Sequence, residues 1–583
     1  MRSGARALFA PLLLLALYSS LAFTFSVWGS GPSADSATTA MLWRGFEEHG
    51  IPFLRSWRYS QDNQLLSLMP LAGAVYSLLG VTAYSVVGVG WLVFLLNAFL
   101  VFLVARRFIG LCPALLVAIT VLSANLPTIG VVGFLGFSQT HNIAFLWSLL
   151  SLYAAIQALA NGRTFWVVIF FLAITVGAVS DAWFNAAITF PIICGLIILR
   201  HDPEAGRQAR RLGILAFLAM ILASTKLLGL FAFIPSGHFH AARNLSEMAK
   251  NSVWLLQILS VFFNIDSARA LLSWVGAIFY TALMAILVIV SLRNMLVEWT
   301  DYSIERKLAI LTALISIATM ALAFVASSFP AGVNQSGRFL INVFYFAPLF
   351  VVLGLLSRPT RWVRVLGIIW CAIFMGLSLA ANHSALVWQG PRTATAKSLA
   401  SFLRKHHLFH GYGAYYDANA NTVTWDSHFK IKVRPLMFVS TPSARDLSAW
   451  RCPTCTALWV PNPNQDSQTW FRGQSARRQR QTFLVYSARG LPCATVPVCD
   501  HDATQQFGAF SRILTQKGFT ILVFPHSLAP HIANSIKRAR VSWKTMNEAR
   551  NRAAITDVCR NMGWSCRGPQ HVYSWLLAHG YAD

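Results

Sequence analysis

About eleven runs of apolar residues, most of them near the 20 residues a helix needs to cross the hydrocarbon core of a bilayer, leave this chain few folds to choose from. They lie near residues 7–28, 82–104, 109–128, 142–160, 165–180, 184–199, 213–233, 271–292, 308–328, 339–357 and 365–383. Backbone polar groups in lipid must be satisfied within their own segment, so such runs are expected to be transmembrane helices. Composition agrees. Of 583 residues 56% are hydrophobic and 12% charged, about half the roughly 25% charge of a soluble domain. That excludes a purely soluble enzyme, and the high hydrophobicity excludes a disordered chain. The first run follows Arg2 and Arg6 and ends in Thr24, Phe25, Ser26, Val27 and Trp28, with no small-residue cleavage site. It is expected to be an uncleaved anchor, not a signal peptide. The shorter apolar segment 65–80, with Pro70 near its start, is expected to be interfacial or re-entrant.

Charge orients the bundle. If Arg2 and Arg6 are cytoplasmic, the same side receives Arg106, Arg107, Arg163, the cluster from Arg200 to Arg211, Arg306, Lys307, Arg358, Arg361 and Arg364. The segments 29–64, 129–141, 181–183, 234–270 and 329–338 then face outward and are thinner in Lys and Arg. This is the positive-inside pattern. An inside start and eleven spans place the C-terminal part outside, which for a bacterial inner membrane is the periplasm.

From about residue 383 the apolar runs stop. Residues 391–583 hold 24 Lys+Arg and 9 Asp+Glu, a net of +15 out of +26 for the chain. An orientation rule for cytoplasmic loops does not explain that excess. Six of the nine cysteines (Cys452, Cys455, Cys493, Cys499, Cys559 and Cys566) also fall there. They suit up to three disulfides in an oxidising compartment, with the pairing left open. A redox dithiol or half a zinc site at Cys452-Pro453-Thr454-Cys455 are the alternatives. Cys112, Cys194 and Cys371 lie in or beside spans and read as small packing residues. Periodicity predicts a helix over 394–407, strands over 483–486 and 520–525, and helices near 502–517 and 530–540. The aromatic stretch 411–425 reads as a strand, turn and helix packing the domain core, or as a carbohydrate-stacking surface. The expected architecture is therefore a polytopic α-helical membrane bundle over 1–384, whose exported loop 29–64 carries juxtamembrane helices, and a soluble periplasmic α/β domain over 385–583.

Candidate chemistry sits at the outer face. In the first exported loop Ser33 or Asp35 can cap a short helix running to Glu48, with Gly50 as its stop. Asp35 would then lie at the membrane surface, just beyond the first span. Trp57, Arg58 and Asp62 follow on the same loop. Lys226 lies inside the expected seventh span toward its outer end, where a charge is costly and usually faces a partner or cavity. It can instead snorkel outward or pair with Asp181. Arg338 opens the tenth span, where a guanidinium can grip phosphate or anchor in head groups. His141 and Asp181 stand at outer span ends as weaker candidates for holding a metal, without a ligand spacing to support it. His238 and His240 are of the same grade.

An acid just beyond a first span, a Gly50-Ile51-Pro52 turn, a Pro-containing apolar helix ending at Gly80, and Gly337-Arg338-Phe339-Leu340 opening a span that runs on to Pro348 together resemble the membrane-embedded GT-C glycosyltransferases. Tyr415-Tyr416-Asp417-Ala418 is similar to a segment in the exported tails of bacterial members. The sequence departs from many relatives in having Ser36, not a second acid, after Asp35. The resemblance implies transfer of a sugar from a polyprenyl-phosphate carrier to a glycan, lipid or protein acceptor at the outer membrane face. It implies Asp35 as the base that takes the acceptor proton, and Lys226 and Arg338 as cations for the departing phosphate. Arg58, Asp62 and Trp57 are the further expected substrate-binding residues, and a divalent metal is an open expectation. A translocator of lipid-linked glycans, and a catalytically silent relative acting as an interaction module, are the other classes left open. No GxxxxGK[ST], GxSxG or HExxH motif occurs. Nucleic acid is not an expected partner; the basic clusters at 477–480 and 537–540 are expected to face anionic lipid, acidic glycan or solvent.

Overall fold

The computed structural model describes residues 2–25, 34–59, 62–124, 141–203, 205–234, 241–242, 244–328, 330, 336–355, 361–389, 393–414, 429–441, 456–461, 467, 469–472, 478–487 and 496–533. The chain forms two compact units. One comprises residues 1–31, 61–78 and 84–392; the other comprises 32–60, 79–83 and 393–583.

The first unit is helical. Seven of its described helices are long and apolar enough to cross a membrane: Ala83–Phe108, His141–Asn161, Ala182–Leu199, Ile265–Val297, Ile304–Ala326, Gly337–Leu355 and Val365–His383. Shorter apolar helices run over Leu13–Thr24, Met69–Leu79, Leu111–Leu122 and Thr164–Ser180. The protein is thus a multi-pass membrane protein. Ile265–Val297 shows how these helices divide their surface. Trp274, Val275, Ile278, Phe279 and Ile289 are exposed, which suits a lipid-facing side. Its Ser291 hydroxyl donates to the Val351 carbonyl at 3.1 Å, where Gly354 lets the neighbouring helix approach: a Cβ there would lie 2.0 Å from the Ser291 hydroxyl oxygen. Small residues at such crossings replace the hydrophobic driving force that lipid does not supply.

Two parts of this unit differ from the sequence expectation. The segment 234–270, read as an exported loop, contains a helix over Leu245–Phe262. Asn244 caps it, its side-chain oxygen accepting from the Glu247 N–H at 2.9 Å. The helix expected over 213–233 ends at Ser224, because Lys226, Leu227, Leu228 and Gly229 all take positive φ. A right-handed helix cannot continue through left-handed residues. Lys226 therefore stands beyond the helix, not inside a span.

The second unit is an α/β domain. Its strands are β1 (His410–Ala414), β2 (Lys432–Thr441), β3 (Thr456–Pro461), β4 (Thr482–Ser487), β5 (Arg512–Gln516) and β6 (Phe519–Phe524). They form a mixed sheet in the order β3-β2-β1-β4-β6-β5, with β1 parallel to both β2 and β4. Alternation divides the side chains of β4 and β6 between two cores. Phe483, Val485, Ile521 and Val523 pack with Leu399 and Leu403 of the helix Thr393–Lys405. Leu484, Tyr486, Leu522 and Phe524 pack with Cys499, Ala503 and Phe507 of the helix Val496–Phe507. Both faces are covered, which is why β4 and β6 read as continuous apolar runs. The helix expected near 502–517 is replaced by the end of this earlier helix, the Gly508 turn and strand β5. Residues 529–533 are helical; the rest of the segment expected as helix over 530–540 lies outside the described residues.

Residues 32–60, grouped by sequence with the membrane half, pack in this second unit. Helices Ala34–His49 and Ile51–Ser56 are joined to the tail by a backbone bridge between Trp57 and Ser467 and by the paired hydroxyls of Ser56 and Ser467 at 2.9 Å. Of the six tail cysteines Cys499 is described, fully buried; the other five lie outside the described residues, as do 415–428, the greater part of the 411–425 stretch.

Candidate functional site

The chemistry of the first unit gathers where four chain segments meet. His141 opens the helix His141–Asn161, and Asp181 follows the end of the helix Thr164–Ser180. Asp62 lies on the segment before the helix Met69–Leu79, and Arg338 on the 3-10 turn Gly337–Leu340. A ligating atom from each of Asp62, His141 and Asp181 lies within 4.8 Å of the others.

Each segment is fixed by identifiable bonds. Asp181 leaves the helix in extended backbone and caps the next turn, its Oδ1 accepting the Trp183 N–H at 2.9 Å. Its other oxygen accepts from His141 Nδ1–H at 2.6 Å. Both residues are buried. The Trp183 indole N–H donates to the Phe339 carbonyl at 2.9 Å, tying the Asp181 turn to the Arg338 turn. Asn63 donates to the carbonyls of Val179 at 2.8 Å and Ser180 at 3.2 Å. It thereby satisfies orphan acceptors at a helix C-terminus and anchors the Asp62 segment beside them. Behind His141, Asn142 accepts from Asn97 at 2.7 Å and from the Tyr345 hydroxyl at 3.1 Å. The His141 ring stacks on Trp183 at 4.8 Å between centroids and leans on Phe339 at 5.2 Å.

This arrangement sets the chemistry of the imidazole. With Nδ1–H given to a carboxylate, Nε2 is the nitrogen left to act as base or metal ligand. Asp62 is half-buried, and its pKa is pushed up to about 6. Burial is the main cause, and the nearby Asp181 charge and a hydrogen bond to Asp181 act in the same direction. His141 and Arg338 oppose the rise. Arg338 is itself exposed, with its guanidinium 5.2 Å from the Phe339 ring centroid. The site thus pairs a buried acid cluster with an accessible cation. The Asp62 carboxylate and the His141 imidazole, held from behind by Asp181, are also donors suited to a divalent first-row cation. In the residues next to Asp62 and Asp181 in sequence, the buried Asn63 Oδ1 and Ser180 Oγ have no hydrogen-bond partner among the described residues. The residues present fit such a metal.

The other expected site residues fall elsewhere. Asp35 is the second residue of the helix Ala34–His49 in the second unit; the position of its carboxylate lies outside the described residues. Trp57 is buried in that unit, with its ring 5.7 Å from Phe53 and 5.5 Å from Trp470. Arg58 is buried there as well. Lys226 is not among the charges acting on Asp62 or His141, and Asp181 takes His141 as its partner. His238 and His240 lie outside the described residues. In the sequence 40 positions separate His141 from Asp181 and no ligand spacing links them. Neither Asn63 nor Trp183 carries a sequence signal of its own, and Phe339 stands out only within the Gly337-Arg338-Phe339-Leu340 motif. The available signal was position: His141 and Asp181 both border apolar runs at the same expected face.

No protein-family model matches the chain, and no curated protein matches it by sequence. Among solved structures, that of ArnT from Cupriavidus metallidurans bound to undecaprenyl phosphate superposes with a TM-score of 0.54 at 11% identity, covering 88% of this chain and 97% of that one. The same protein in the apo state gives 0.55 at 12%, over the same shares. The Archaeoglobus fulgidus oligosaccharyltransferase in complex with Zn and sulfate gives 0.44 at 12%, covering 72% of this chain and 62% of that one. The chain shares its overall fold with these ArnT structures.

Proposed function

We propose that this protein is a bacterial inner-membrane glycosyltransferase that moves a sugar from a polyprenyl-phosphate carrier to an envelope glycan, lipid or protein acceptor at the periplasmic face. Its N-terminus is cytoplasmic and its tail is periplasmic and disulfide-bonded. The observation that carries the reading is the buried His141–Asp181 pair with Asp62 beside it and Arg338 at its exposed edge. The GT-C fold and a relative crystallised with undecaprenyl phosphate support it.

The roles follow from charge. Transfer breaks the bond between sugar and phosphate, and the phosphate leaves with an added negative charge. Arg338, exposed and able to bind phosphate through two N–H groups, stabilises that charge. Asp62 and His141 Nε2 would hold a divalent cation, which would supply further positive charge against the phosphate. Asp181 keeps His141 in one tautomer and one ring orientation. Asp35, on the exported helix, is the proposed base for the acceptor hydroxyl.

The test is transfer of radiolabelled sugar from a polyprenyl-phosphate donor by the purified full-length protein. Asp35→Asn is expected to abolish transfer while donor binding persists; Arg338→Gln is expected to weaken donor binding itself. Donor binding without transfer to any acceptor fraction, in the unaltered protein, would return the reading to a translocator or an inactive relative.

A further inference from the structure

The second unit contains a cavity of about 650 Å³ that the proposed transfer site does not use. Ligand pockets commonly span about 300–1,000 Å³. Its walls come from the helices Ala34–His49 and Ile51–Ser56, the first residues of β1 and β2, and the short helix Thr469–Arg472. Strand register explains its composition. His410 pairs with Lys432, and Tyr412 with Arg434. Residues two apart on a strand share a face, so these four side chains form one patch.

Three cations line the cavity: Arg44, Lys432 and Arg434. Arg44 is engaged by Glu47 and Glu48, each at 3.2 Å. Among the described residues, neither Lys432 nor Arg434 makes an ion pair. The Arg434 guanidinium lies 4.0 Å from the Trp470 ring centroid, and Trp470 is in turn held edge-on by Trp57 at 5.5 Å. The fork is therefore preorganised by stacking, which lowers the entropy lost when it binds an acid group. Phe53, Phe429, Tyr412 and Trp470 supply aromatic surface beside these cations. The His410 pKa is pushed down to about 4, first by burial and then by the Lys432 and Arg434 charges; Glu48, also on the cavity wall, offsets part of those charges.

We propose that this cavity is a second ligand site, which binds an acidic saccharide with its phosphate or carboxylate on Arg434 and Lys432 and its ring against the aromatic wall. The saccharide part rests on the glycosyltransferase reading; the acid-group part does not. The site gives the exported unit a means of selecting acidic glycans as acceptors or as anchoring points.

Full-length protein in phosphatidylcholine nanodiscs is titrated, without donor, with glucose 6-phosphate, glucuronate, glucose and inorganic phosphate, and binding is read by calorimetry and tryptophan fluorescence. The two acidic sugars are expected to bind, and neutral glucose to bind at least about tenfold more weakly. Arg434→Gln is expected to weaken glucose 6-phosphate by about tenfold or more. Lys432→Gln, at a half-buried position, is expected to weaken it with an unchanged melting temperature, so the test survives if Arg434→Gln fails to fold. Equal binding of glucose and glucose 6-phosphate, or wild-type affinity in a folded Lys432→Gln and Arg434→Gln double variant, overturns the site. Inorganic phosphate binding as tightly as the sugar phosphate overturns the saccharide part. So does loss of sugar binding when phosphatidylglycerol is included in the discs, which would assign the cavity to lipid. Because no transfer is measured, a failed titration leaves the reading of the His141–Asp181 site standing.

Discussion

A single carboxylate, Asp181, divides its two oxygens between a backbone N–H and an imidazole, and so couples the shape of a turn to the state of a histidine. Asp181→Asn keeps the cap but loses the charge that orients His141. It is expected to lower sugar transfer by about 10²–10⁴-fold, the range for acid–base groups, with little change in melting temperature. Asp181→Ala removes one partner of a buried pair and is expected to cost about 3–5 kcal/mol of stability as well. Comparing the two by kinetics and thermal unfolding separates chemistry from folding. At Arg338, exposure makes a folding defect unexpected. Arg338→Gln should reduce transfer by about 10²–10³-fold, as for loss of a charge-stabilising donor, at wild-type stability. A loss of fold there would show that the side chain is structural. His410 gives a pH prediction. Its folded-state pKa of about 4 lies below the ordinary 6.5. Between these values the unfolded chain binds the proton and the folded one does not, so stability is complete above about pH 6.5 and falls as pH drops toward 4. His410→Gln should lose less melting temperature between pH 7.5 and 4.5 than the wild type does. Parallel curves would refute the assignment of that acid sensitivity to His410.

At the level of elements, the site depends on how one helix ends. Gly177, one turn before Asp181, has no room for a side chain: an added Cβ would lie 2.2 Å from the Phe184 ring. The Asp181 N–H closes the helix on the Gly177 carbonyl at 3.1 Å, and a π-helical turn over Asn185–Thr189 follows the Asp181 cap. Such irregular turns re-aim side chains and are frequent at functional sites. Gly177→Ala must displace Phe184 and with it the turn that holds Asp181. Overpacking of this kind costs about 1–3 kcal/mol, and small misplacements of reacting groups can cost about 10²-fold in rate. The variant should remain folded yet lose at least about tenfold in kcat/KM, although no reacting group has changed. Wild-type kinetics would mean that the turn absorbs the ring without moving Asp181.

At the level of the whole molecule, the helices Ala34–His49 and Ile51–Ser56 pack with the C-terminal tail although more than 300 residues separate them in sequence. Phe53 and Trp57 bury their rings against Trp470. A chain ending at residue 384 would leave those rings without their partner. Limited proteolysis should then cut within residues 34–59 far faster than in the full-length protein; equal protection would show that these helices hold their fold without the tail.

The sequence by itself determined the class of fold. Apolar runs of spanning length, a biased charge pattern and a cysteine-bearing polar tail admit few solutions, because lipid forbids unsatisfied backbone and an α/β core demands alternating or continuous apolar strands. The runs at 82–104, 142–160, 271–292 and 339–357 and the strands at 483–486 and 520–525 were legible for that reason. Local patterns carry such information within a few turns of chain. The candidate site was legible only in its members: Arg338, His141 and Asp181 as polar groups at expected span ends and Asp62 on the loop after the first span, with nothing in their spacing to join them. Their meeting depends on long-range bonds such as Asn63 to Val179 and Trp183 to Phe339, which no periodicity encodes. Tertiary packing also decided that Lys226 stands outside the helix and that residues 32–60 belong with the tail. Secondary structure is fixed by neighbours in sequence; a site is fixed by neighbours in space.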